Sequence, residues 1–314
     1  MHRRWLMCCL LLWSGTAAKR HRQRNRKAAP CLTHVVVAAA HYGDDASSHD
    51  LMHFLVAHHE RALKTLMPRN TSAILFVGNV APPTSEVLRA ACANASLHYA
   101  RNEDWPRWGF ELGAWRWAAA HTLPNMGLCD DAIVYFTQDS FILNRSPLAY
   151  PPPAAFRAAS IYWFYGNTSL SHIPDGMNQV QARERTAQKA FKKVRGAASA
   201  GEIRATIDDF HGSFGPNFAA TWAVTRRLRD RKFFDMMRIE TKLREQESER
   251  VIGHFLQIDA DIRSDEALGG YYICAEQPGN CPDQGQDAID AQPFRKILGS
   301  TLRSKGKWYL TDDT

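Results

Sequence analysis

Short apolar runs alternate with amphipathic stretches along residues 32–137. The apolar runs are rich in β-branched and aromatic residues and are predicted strands: residues 34–40, 73–77, 97–101 and 132–137. The stretches between them place apolar residues three and four positions apart, which is the spacing of a helix with one buried face. This alternation predicts an α/β domain with a mostly parallel central sheet flanked by helices.

The three connecting stretches carry helix-start signals, namely a Ser cap or an acid in the first turn. They are predicted helices: residues 50–67 with Ser47 or Ser48 as the cap, a second from Thr84, and a third that ends near His121. Asp130 and Asp131 look like turn residues before the fourth strand.

The pattern is less regular after Pro147. Predicted strands there are residues 160–165 and 218–224, and predicted helices are residues 179–195, 226–237 and 239–256. Residues 276–314 are polar and rich in Gly, Gln and Asp, so they are expected to form a C-terminal tail.

Residues 1–18 have the features of a signal peptide: a basic start, an apolar run over residues 5–13, and small residues at Thr16 and Ala18. The apolar run is shorter than the roughly 20 residues that span a bilayer, so if retained it would be a short membrane anchor. Residues 19–30 are a basic linker, and positive charge after an apolar run resists translocation. Because residues 1–43 contain no acid, an organelle transit peptide is the alternative.

The formal net charge of +7 arises in this leader. Residues 1–30 hold eight of the 39 basic residues and no acid, which leaves 31 basic against 32 acidic residues in the rest of the 314-residue chain. Nucleic-acid binding requires a basic patch on a folded surface. The predicted domain is nearly neutral, so we expect no nucleic-acid partner.

The lumen of the secretory pathway is indicated by four N-x-[ST] acceptor sites for N-glycosylation, at Asn70, Asn94, Asn144 and Asn167. Five cysteines follow the leader, and this odd number allows two disulfides and one free thiol. Cys274 and Cys281 are the pair predicted to bridge, because a short loop with Pro and Gly separates them. The expected location is the ER or Golgi lumen or the cell exterior.

Ligands of an open α/β sheet bind beyond the carboxyl ends of its strands. This rule selects residues 41–45, 78–79, 102–111 and 138–140. Asp139 follows an apolar strand, where its carboxylate must meet a metal, a positive group or solvent because burying it unpaired is very costly. The alternative for Asp139 is a cap of the turn at the strand exit.

Residues 102–117 are rich in tryptophan. Trp105 and Trp108 precede the predicted helix beside charged residues, where flat aromatic faces suit carbohydrate or nucleotide contact. Trp115 and Trp117 lie on the helix and are expected in the core. Glu111 falls in the first helical turn, where it either complements the helix dipole or holds a ligand.

Several familiar enzyme classes lack support in this sequence. It contains no Gly-rich phosphate loop and no Gly-x-Ser-x-Gly elbow, which argues against P-loop kinases, Rossmann dehydrogenases and α/β-hydrolases. His49 and His53 are four residues apart on a predicted helix. The Glu that follows the first His of a zinc metalloprotease is Asp50 here, so a zinc hydrolase is not favoured.

A series of motifs runs along residues 35–256: an Asp after the first strand, Asn-x(8)-Glu opening a helix, a strand ending Gln-Asp-Ser, then Phe-Gly-Pro-Asn-Phe and Glu-Arg-Val-Ile-Gly-His-Phe. The series resembles glycosyltransferase-like families of lumenal and cell-surface proteins, and polysaccharide-synthesis transferases with the nucleotide-diphospho-sugar (GT-A) fold. The resemblance implies one GT-A-like catalytic domain over residues 31–275. Such a domain would move a sugar from a nucleotide-diphospho-sugar to a glycan or protein acceptor.

The resemblance also implies roles for individual residues. A short acidic motif after the fourth strand of such enzymes holds Mn²⁺ or Mg²⁺ against the donor diphosphate, and Asp139 is the single carboxylate at that place. The implied set is Asp44 or Asp45 near the nucleotide, Glu111 near the nucleotide sugar, Asp139 with His211 or His254 at the metal, and Glu249 as the base that deprotonates the acceptor hydroxyl. Asp139 and Glu249 are thus the candidate catalytic residues. Asn102, which opens the Asn-x(8)-Glu motif, and the aromatic face of Trp108 are further candidates for contact with the nucleotide sugar. Because only one carboxylate is present, a non-catalytic carbohydrate-binding or scaffold protein of the same fold is the alternative.

Overall fold

The computed structural model describes residues 30–139, 141–143, 158–160, 163–165, 211–213, 218–235 and 294–296. The main elements of the first half are β1 (Leu32–Ala40), α1 (Ala46–Thr65), β2 (Ser72–Gly78), α2 (Pro82–Asn94), β3 (His98–Arg101), α3 (Phe110–Trp117) and β4 (Leu128–Gln138). They are followed by β5 (Phe141–Leu143), β6 (Ala158–Ser160), β7 (Trp163–Tyr165), β8 (His211–Ser213), β9 (Phe218–Thr221), α4 (Trp222–Asp230) and β10 (Phe294–Lys296). A π-helical turn, Ala118–Thr122, extends α3, and two single 3₁₀ turns are Leu123–Asn125 and Phe233–Asp235.

A six-stranded sheet in the order β3-β2-β1-β4-β9-β6 forms the centre of the fold. The strands β3, β2, β1 and β4 are parallel, whereas β9 is antiparallel to both of its neighbours. The predicted α/β class with a mostly parallel sheet is therefore confirmed. Two small antiparallel pairs, β10 with β5 and β7 with β8, complete the described strands.

Helices cover both faces of the sheet. Because side chains alternate along a strand, β1 presents Val35 and Val37 to one face and Val36 and Ala38 to the other. Side chains of α3 and α4 pack on the first face, and side chains of α1 and α2 pack on the second. The large apolar area buried on each side accounts for the near-continuous hydrophobic run of β1.

The first helix begins earlier than its sequence predicts. Asp45, and not Ser47 or Ser48, is the N-cap, since its Oδ1 accepts a hydrogen bond from the Ser48 backbone N–H at 2.9 Å. An aspartate oxygen satisfies a backbone donor that would otherwise have no partner in the first turn. The helix therefore starts at the end of the loop that follows β1.

Asp130 and Asp131 lie inside β4, and their prediction as turn residues is wrong. Both are exposed, and the register between β1 and β4 shifts between Leu32 and His34. Leu32 pairs with Leu128, whereas His34 pairs with Ile133. The extra residues of β4 form an irregularity in the pairing, which allows two charged side chains to face solvent within a strand.

Two later elements also differ from prediction. The run 218–224 is a strand only to Thr221, whose Oγ1 accepts from the Val224 backbone N–H and so begins α4 at Trp222. The helix predicted over 226–237 is this helix, and it ends at Asp230. Short apolar runs fit either a strand or a buried helix face, which explains the error. The single strand predicted over 160–165 is divided between β6 and β7.

A disulfide joins the amino ends of β1 and β4. It links Cys31 to Cys129 with Cα atoms 5.2 Å apart. Cys92 is a buried free thiol on α2, and burial raises its pKa to about 12. The predicted pair Cys274 and Cys281 lies outside the described residues.

Several predicted segments also fall outside them: the leader and linker, the helices over 179–195 and 239–256, and the C-terminal tail apart from β10. Among the helices that are described, none is long and apolar enough to cross a membrane.

Candidate functional site

The strand order reverses direction between β1 and β4. The chain passes from β1 to β2 and β3 on one side, then returns through α3 to place β4 on the other side of β1. In open α/β sheets this switch point opens a crevice at the carboxyl ends of the strands, where ligands bind. The Asp139 backbone N–H donates to the Ala39 carbonyl at 3.0 Å, so β1 and β4 stay paired up to the carboxyl edge of the sheet.

Two buried asparagines follow β2 and β3 at this edge. Asn79 and Asn102 are 3 % and 1 % exposed. The Asn102 Nδ2 donates to Asn79 Oδ1 at 2.7 Å and to the Trp108 carbonyl at 2.6 Å, while Asn102 Oδ1 accepts from the Asp104 backbone N–H at 3.1 Å. Asn79 Nδ2 donates to the Phe110 carbonyl at 2.6 Å. We call these two side chains the amide pair.

The amide pair fixes the backbone that enters α3. Phe110 has a positive φ of 52°, a conformation that costs a bulky L-residue about 1–3 kcal/mol. Gly113 packs so closely under this turn that a Cβ there would stand 2.4 Å from the Trp108 carbonyl oxygen. Two hydrogen-bonded carbonyls and one close backbone contact therefore hold the turn in a strained shape, and such strain is concentrated at functional sites.

Glu111 lies directly after this turn, in the first turn of α3. Its side chain is 5 % exposed, and its Oε2 has no hydrogen-bond partner among the described residues. A buried carboxylate oxygen without a donor is costly. The position at the helix start provides favourable electrostatics, but it does not supply a hydrogen bond to this oxygen. The arrangement suits a hydroxyl, amine or ammonium group of a ligand.

Arg116 fastens the tryptophan-rich loop to the body of the domain. It contacts the Asp104 carboxylate, and its Nε donates to Asp235 Oδ1 at 2.5 Å. Its guanidinium carbon lies 4.6 Å from the centre of the Trp108 ring, within range of a cation–π interaction. The Arg116 guanidinium thus covers part of the Trp108 ring, and Asp104 and Asp235 hold that guanidinium in place. Trp105 is half-buried in the same loop, and Trp115 is fully buried in the core, as predicted.

Asp44 and Asp45 lie in the exposed loop after β1 and have partners there. Asp44 accepts from the Thr84 hydroxyl of α2. Asp45 accepts from the Ser48 hydroxyl at 2.6 Å as well as from its backbone N–H, and these bonds lower the Asp45 pKa. Both carboxylates therefore connect the loop to helices at the carboxyl edge.

His41 links the β1 loop to the amide pair. Its Nδ1 lies 3.4 Å from Asn79 Nδ2, and the centre of its ring is 5.8 Å from that of Phe110. The loops after β1, β2 and β3 therefore meet around His41, Asn79 and the turn before Glu111.

Asp139 is 1 % exposed and faces the α1 side of the sheet. Its carboxylate interacts electrostatically with His59, a histidine on α1 that is also 1 % exposed. Burial lowers the pKa of His59, and the Leu55 carbonyl, Asp139 and the Phe141 backbone oppose this effect. His59 shares the α1 side with Phe76, with ring centres 5.0 Å apart.

For the three other residues implied at the site, the structure describes no side chain. Glu249 and His254 lie outside the described residues, and for His211 only the backbone of β8 is described. In the part of the chain that the structure describes, no group of three or more His, Cys, Asp or Glu side chains is arranged to hold a metal ion.

The strand-end rule selected all the segments that meet at this edge, but it gave no role to Asn79, His59 or Arg116. Asn79 falls in a selected segment by position alone, since it directly follows β2, which ends at Gly78. Nothing local in the sequence indicated that Arg116 pairs with Asp235, a residue 119 positions away.

Comparison of the sequence with protein-family models and with curated proteins finds no match.

Proposed function

We propose that this protein is a glycosyltransferase of the GT-A type, which moves a sugar from a nucleotide-diphospho-sugar to a glycan or protein acceptor. The proposal starts from the motif series that resembles such enzymes. The observation that carries it furthest is the buried Glu111 Oε2, which has no hydrogen-bond donor in the described part of the chain and belongs to the first turn of α3, after the carboxyl end of β3. Hydroxyl groups of a sugar would supply that donor.

The rest of the edge supports a ligand of this size and polarity. Ligands of open α/β sheets bind at the switch point of the strand order, here between β1 and β4, and Glu111 follows the strained turn held by the amide pair at the same edge of the sheet. Trp108 and Trp105 offer aromatic faces in the adjoining loop, which suit a sugar or base. Asn102 would contribute indirectly, because its side-chain amide is already engaged by Asn79 and Trp108.

The proposed chemistry is a substitution at the anomeric carbon. An acceptor hydroxyl oxygen forms the new bond, the bond to the diphosphate oxygen breaks, and the hydroxyl proton passes to a carboxylate base, for which Glu249 is the candidate. The nucleoside diphosphate leaves with the bonding electrons. Mn²⁺ or Mg²⁺ would assist by binding the diphosphate, but Asp139 alone does not form a metal shell among the described residues, so no step is assigned to a metal.

A non-catalytic carbohydrate-binding protein of the same fold is the second candidate. One observation favours it: Asp139, the only carboxylate of the Gln-Asp-Ser motif, is buried toward α1 and interacts with His59. This arrangement suits a residue that stabilises the end of β4. A relative that binds glycans without transferring sugar would retain Glu111 and lose metal-dependent chemistry.

Thermal unfolding of the full chain in the presence of UDP- and GDP-sugars, with and without Mn²⁺, tests the proposal. A donor at 100 times its dissociation constant adds about 2.7 kcal/mol to the free energy of unfolding and raises the melting temperature. Glu111→Gln should abolish this rise in melting temperature. Glu103 is an exposed acid in the loop before α3, and Glu103→Gln should leave the rise intact.

The outcomes separate the two candidates. Release of nucleoside diphosphate from the stabilising donor, in the presence of glycan acceptors, supports the transferase. Stabilisation by glycans but by no nucleotide sugar supports the binding protein. If no nucleotide sugar shifts the melting temperature of the wild type, the transferase proposal fails.

A further inference from the structure

Two of the N-x-[ST] motifs lie in the described part of the chain, and both present their asparagine to solvent. Asn70 is exposed in the turn between α1 and β2, and Asn94 is exposed as the last residue of α2. Both are followed at the third position by serine, Ser72 and Ser96. A bulky glycan requires an asparagine whose side chain can leave the surface freely, and both positions meet this requirement.

Both asparagines also lie at the same edge of the sheet. Asn70 lies two positions before the first residue of β2, and Asn94 lies four positions before the first residue of β3. In a parallel array these are amino ends of strands. The candidate site lies at the carboxyl ends, and the seven residues of β2, at about 3.3 Å each, separate the two edges by roughly 20 Å. Glycans at Asn70 and Asn94 would leave the crevice open.

The Ser72 hydroxyl independently favours glycosylation at Asn70. Its Oγ is buried and has no hydrogen-bond partner among the described residues. A buried hydroxyl without a partner is unfavourable, so the folded structure gives no reason for serine rather than an apolar residue here. The acceptor motif gives one, since the third position must carry a hydroxyl. Because this hydroxyl is buried in the folded domain, a modification at Asn70 would precede the pairing of β2.

The disulfide also favours a location in the secretory pathway. Cys31 and Cys129 are bridged, and disulfides persist in the oxidising secretory pathway where N-glycosylation takes place. The bridge joins the amino ends of β1 and β4, so it lies at the edge that carries both asparagines.

We infer that Asn70 and Asn94 carry N-linked glycans, which cover the amino edge of the sheet. In this modification the Asn amide nitrogen bonds to the anomeric carbon of an oligosaccharide and loses one proton. The bond between that carbon and the diphosphate of a lipid carrier breaks, and the lipid diphosphate leaves. The donor is thus a lipid-linked oligosaccharide supplied by the secretory pathway, and the step does not involve the candidate site of this protein.

The test is expression of the full chain with its own leader in eukaryotic cells, followed by digestion with an N-glycan-specific amidase. Digestion should increase the electrophoretic mobility of the wild type. We expect Asn70→Gln and Asn94→Gln each to reduce this mobility shift by the contribution of one glycan, and the double variant to reduce it by the contribution of two. Ser72→Ala and Ser96→Ala should act like the matching Asn variants, whereas Ser96→Thr, which preserves the motif, should keep the wild-type shift.

The inference is overturned if the double variant migrates as the wild type does, before and after digestion. Any remaining shift would then belong to Asn144 or Asn167, which lie outside the described residues. Nucleotide-sugar binding is a separate readout: it should survive in Asn70→Gln and Asn94→Gln, so loss of the glycans and failure of the transferase proposal are distinguishable.

Discussion

Asn102 donates a hydrogen bond from its side-chain amide to the side-chain oxygen of Asn79, 2.7 Å away, and so joins the ends of two neighbouring strands. Both side chains are buried, and together they bind the carbonyls of Trp108 and Phe110. The shape of the turn before Glu111 therefore depends on two amides that are 23 residues apart in sequence.

Replacement of Asn102 should destabilise the domain markedly. Asn102→Ala leaves the Trp108 carbonyl and the Asn79 oxygen without their donor, which should cost about 2–4 kcal/mol of unfolding free energy. Asn102→Asp should cost at least as much, because a carboxylate oxygen would then face two acceptors. Urea unfolding measures both changes. Asn125→Ala, which removes an exposed amide bound to the His121 carbonyl, should change stability by less than about 0.5 kcal/mol; a similar loss in both Ala variants would contradict the role of the amide pair.

Gly113→Ala should also destabilise the protein, although Ala normally favours a helix over Gly by about 1 kcal/mol. The new Cβ would stand 2.4 Å from the Trp108 carbonyl oxygen, which Asn102 holds in place. Overpacking of this kind costs about 1–3 kcal/mol. His53→Ala, at an exposed position inside α1, provides the comparison and should be neutral or slightly stabilising. A melting temperature of Gly113→Ala above that of the wild type would show that the turn is free to move.

The sequence predicted the architecture well and the site in part. The strands β1 to β4 and their helices follow from apolar periodicity, because each element buries one face or both. The carboxyl-edge rule selected the loops after β1, β2 and β3, which the structure brings together around His41 and Asn79. The pairing of Asn79 with Asn102 depends on the register of β2 against β3, in which Gly78 stands beside Arg101. Apolar periodicity within one strand does not define its alignment with a neighbour.

Two further features depend on long-range contacts. Arg116 meets Asp235 only because α3 and the turn after α4 pack on the same face of the sheet. Asp139 and His59 approach each other because β4 ends against α1, on the opposite face. Arg116 and Asp235 look like ordinary solvent-facing residues in the sequence, and the apolar strand before Asp139 marks this carboxylate but not its neighbour His59. The burial of Glu111 likewise follows from the strained turn, which no local pattern revealed.

The disulfide should contribute strongly to stability. It closes a loop with a sequence separation of 98 residues, and a loop of that length removes up to about 4.7 kcal/mol of chain entropy from the unfolded state, with about 2–4 kcal/mol typical in practice. The double variant Cys31→Ser/Cys129→Ser should therefore unfold at lower urea concentration than the wild type. Cys92→Ser, which changes a buried free thiol without affecting the bridge, controls for loss of a cysteine. Equal midpoints for wild type and the double variant would contradict a stabilising bridge.

His59 should make the domain less stable in mild acid. Burial lowers its pKa in the folded protein, so the unfolded chain, with an ordinary pKa of about 6.5, binds a proton first as pH falls. Stability is therefore complete above pH 6.5 and declines below it, by at most about 1.4 kcal/mol per pH unit for this group. Burial lowers the pKa of His34 and of His58 too, and both add to the decline.

Urea unfolding at pH 7.5 and 5.5 tests this assignment. His59→Gln should lose less stability between the two pH values than the wild type, whatever its stability at pH 7.5. His53→Gln, which changes an exposed histidine of the same helix, should retain the wild-type dependence. An unchanged difference in His59→Gln would mean that His59 has the same pKa in the folded and unfolded chains.

Glu111→Gln should stabilise the unliganded protein while it abolishes ligand binding. Glu111 Oε2 is buried without a hydrogen bond in the described part of the chain, and an amide of the same shape removes the buried charge, for a gain of about 1 kcal/mol. In a domain of 150–250 residues, that gain corresponds to about 2–4 °C in melting temperature.

The comparison with Glu103→Gln makes this prediction specific to the site. Glu103 is exposed in the loop before α3, so its replacement removes an equal charge. Surface changes stay within about 0.5 kcal/mol, which corresponds to a shift of at most about 1–2 °C in melting temperature. A carboxylate kept for ligand binding lowers the stability of the empty site, whereas a structural carboxylate raises it. A lower melting temperature for unliganded Glu111→Gln would therefore identify Glu111 as a structural residue and remove the main support for a sugar-binding role.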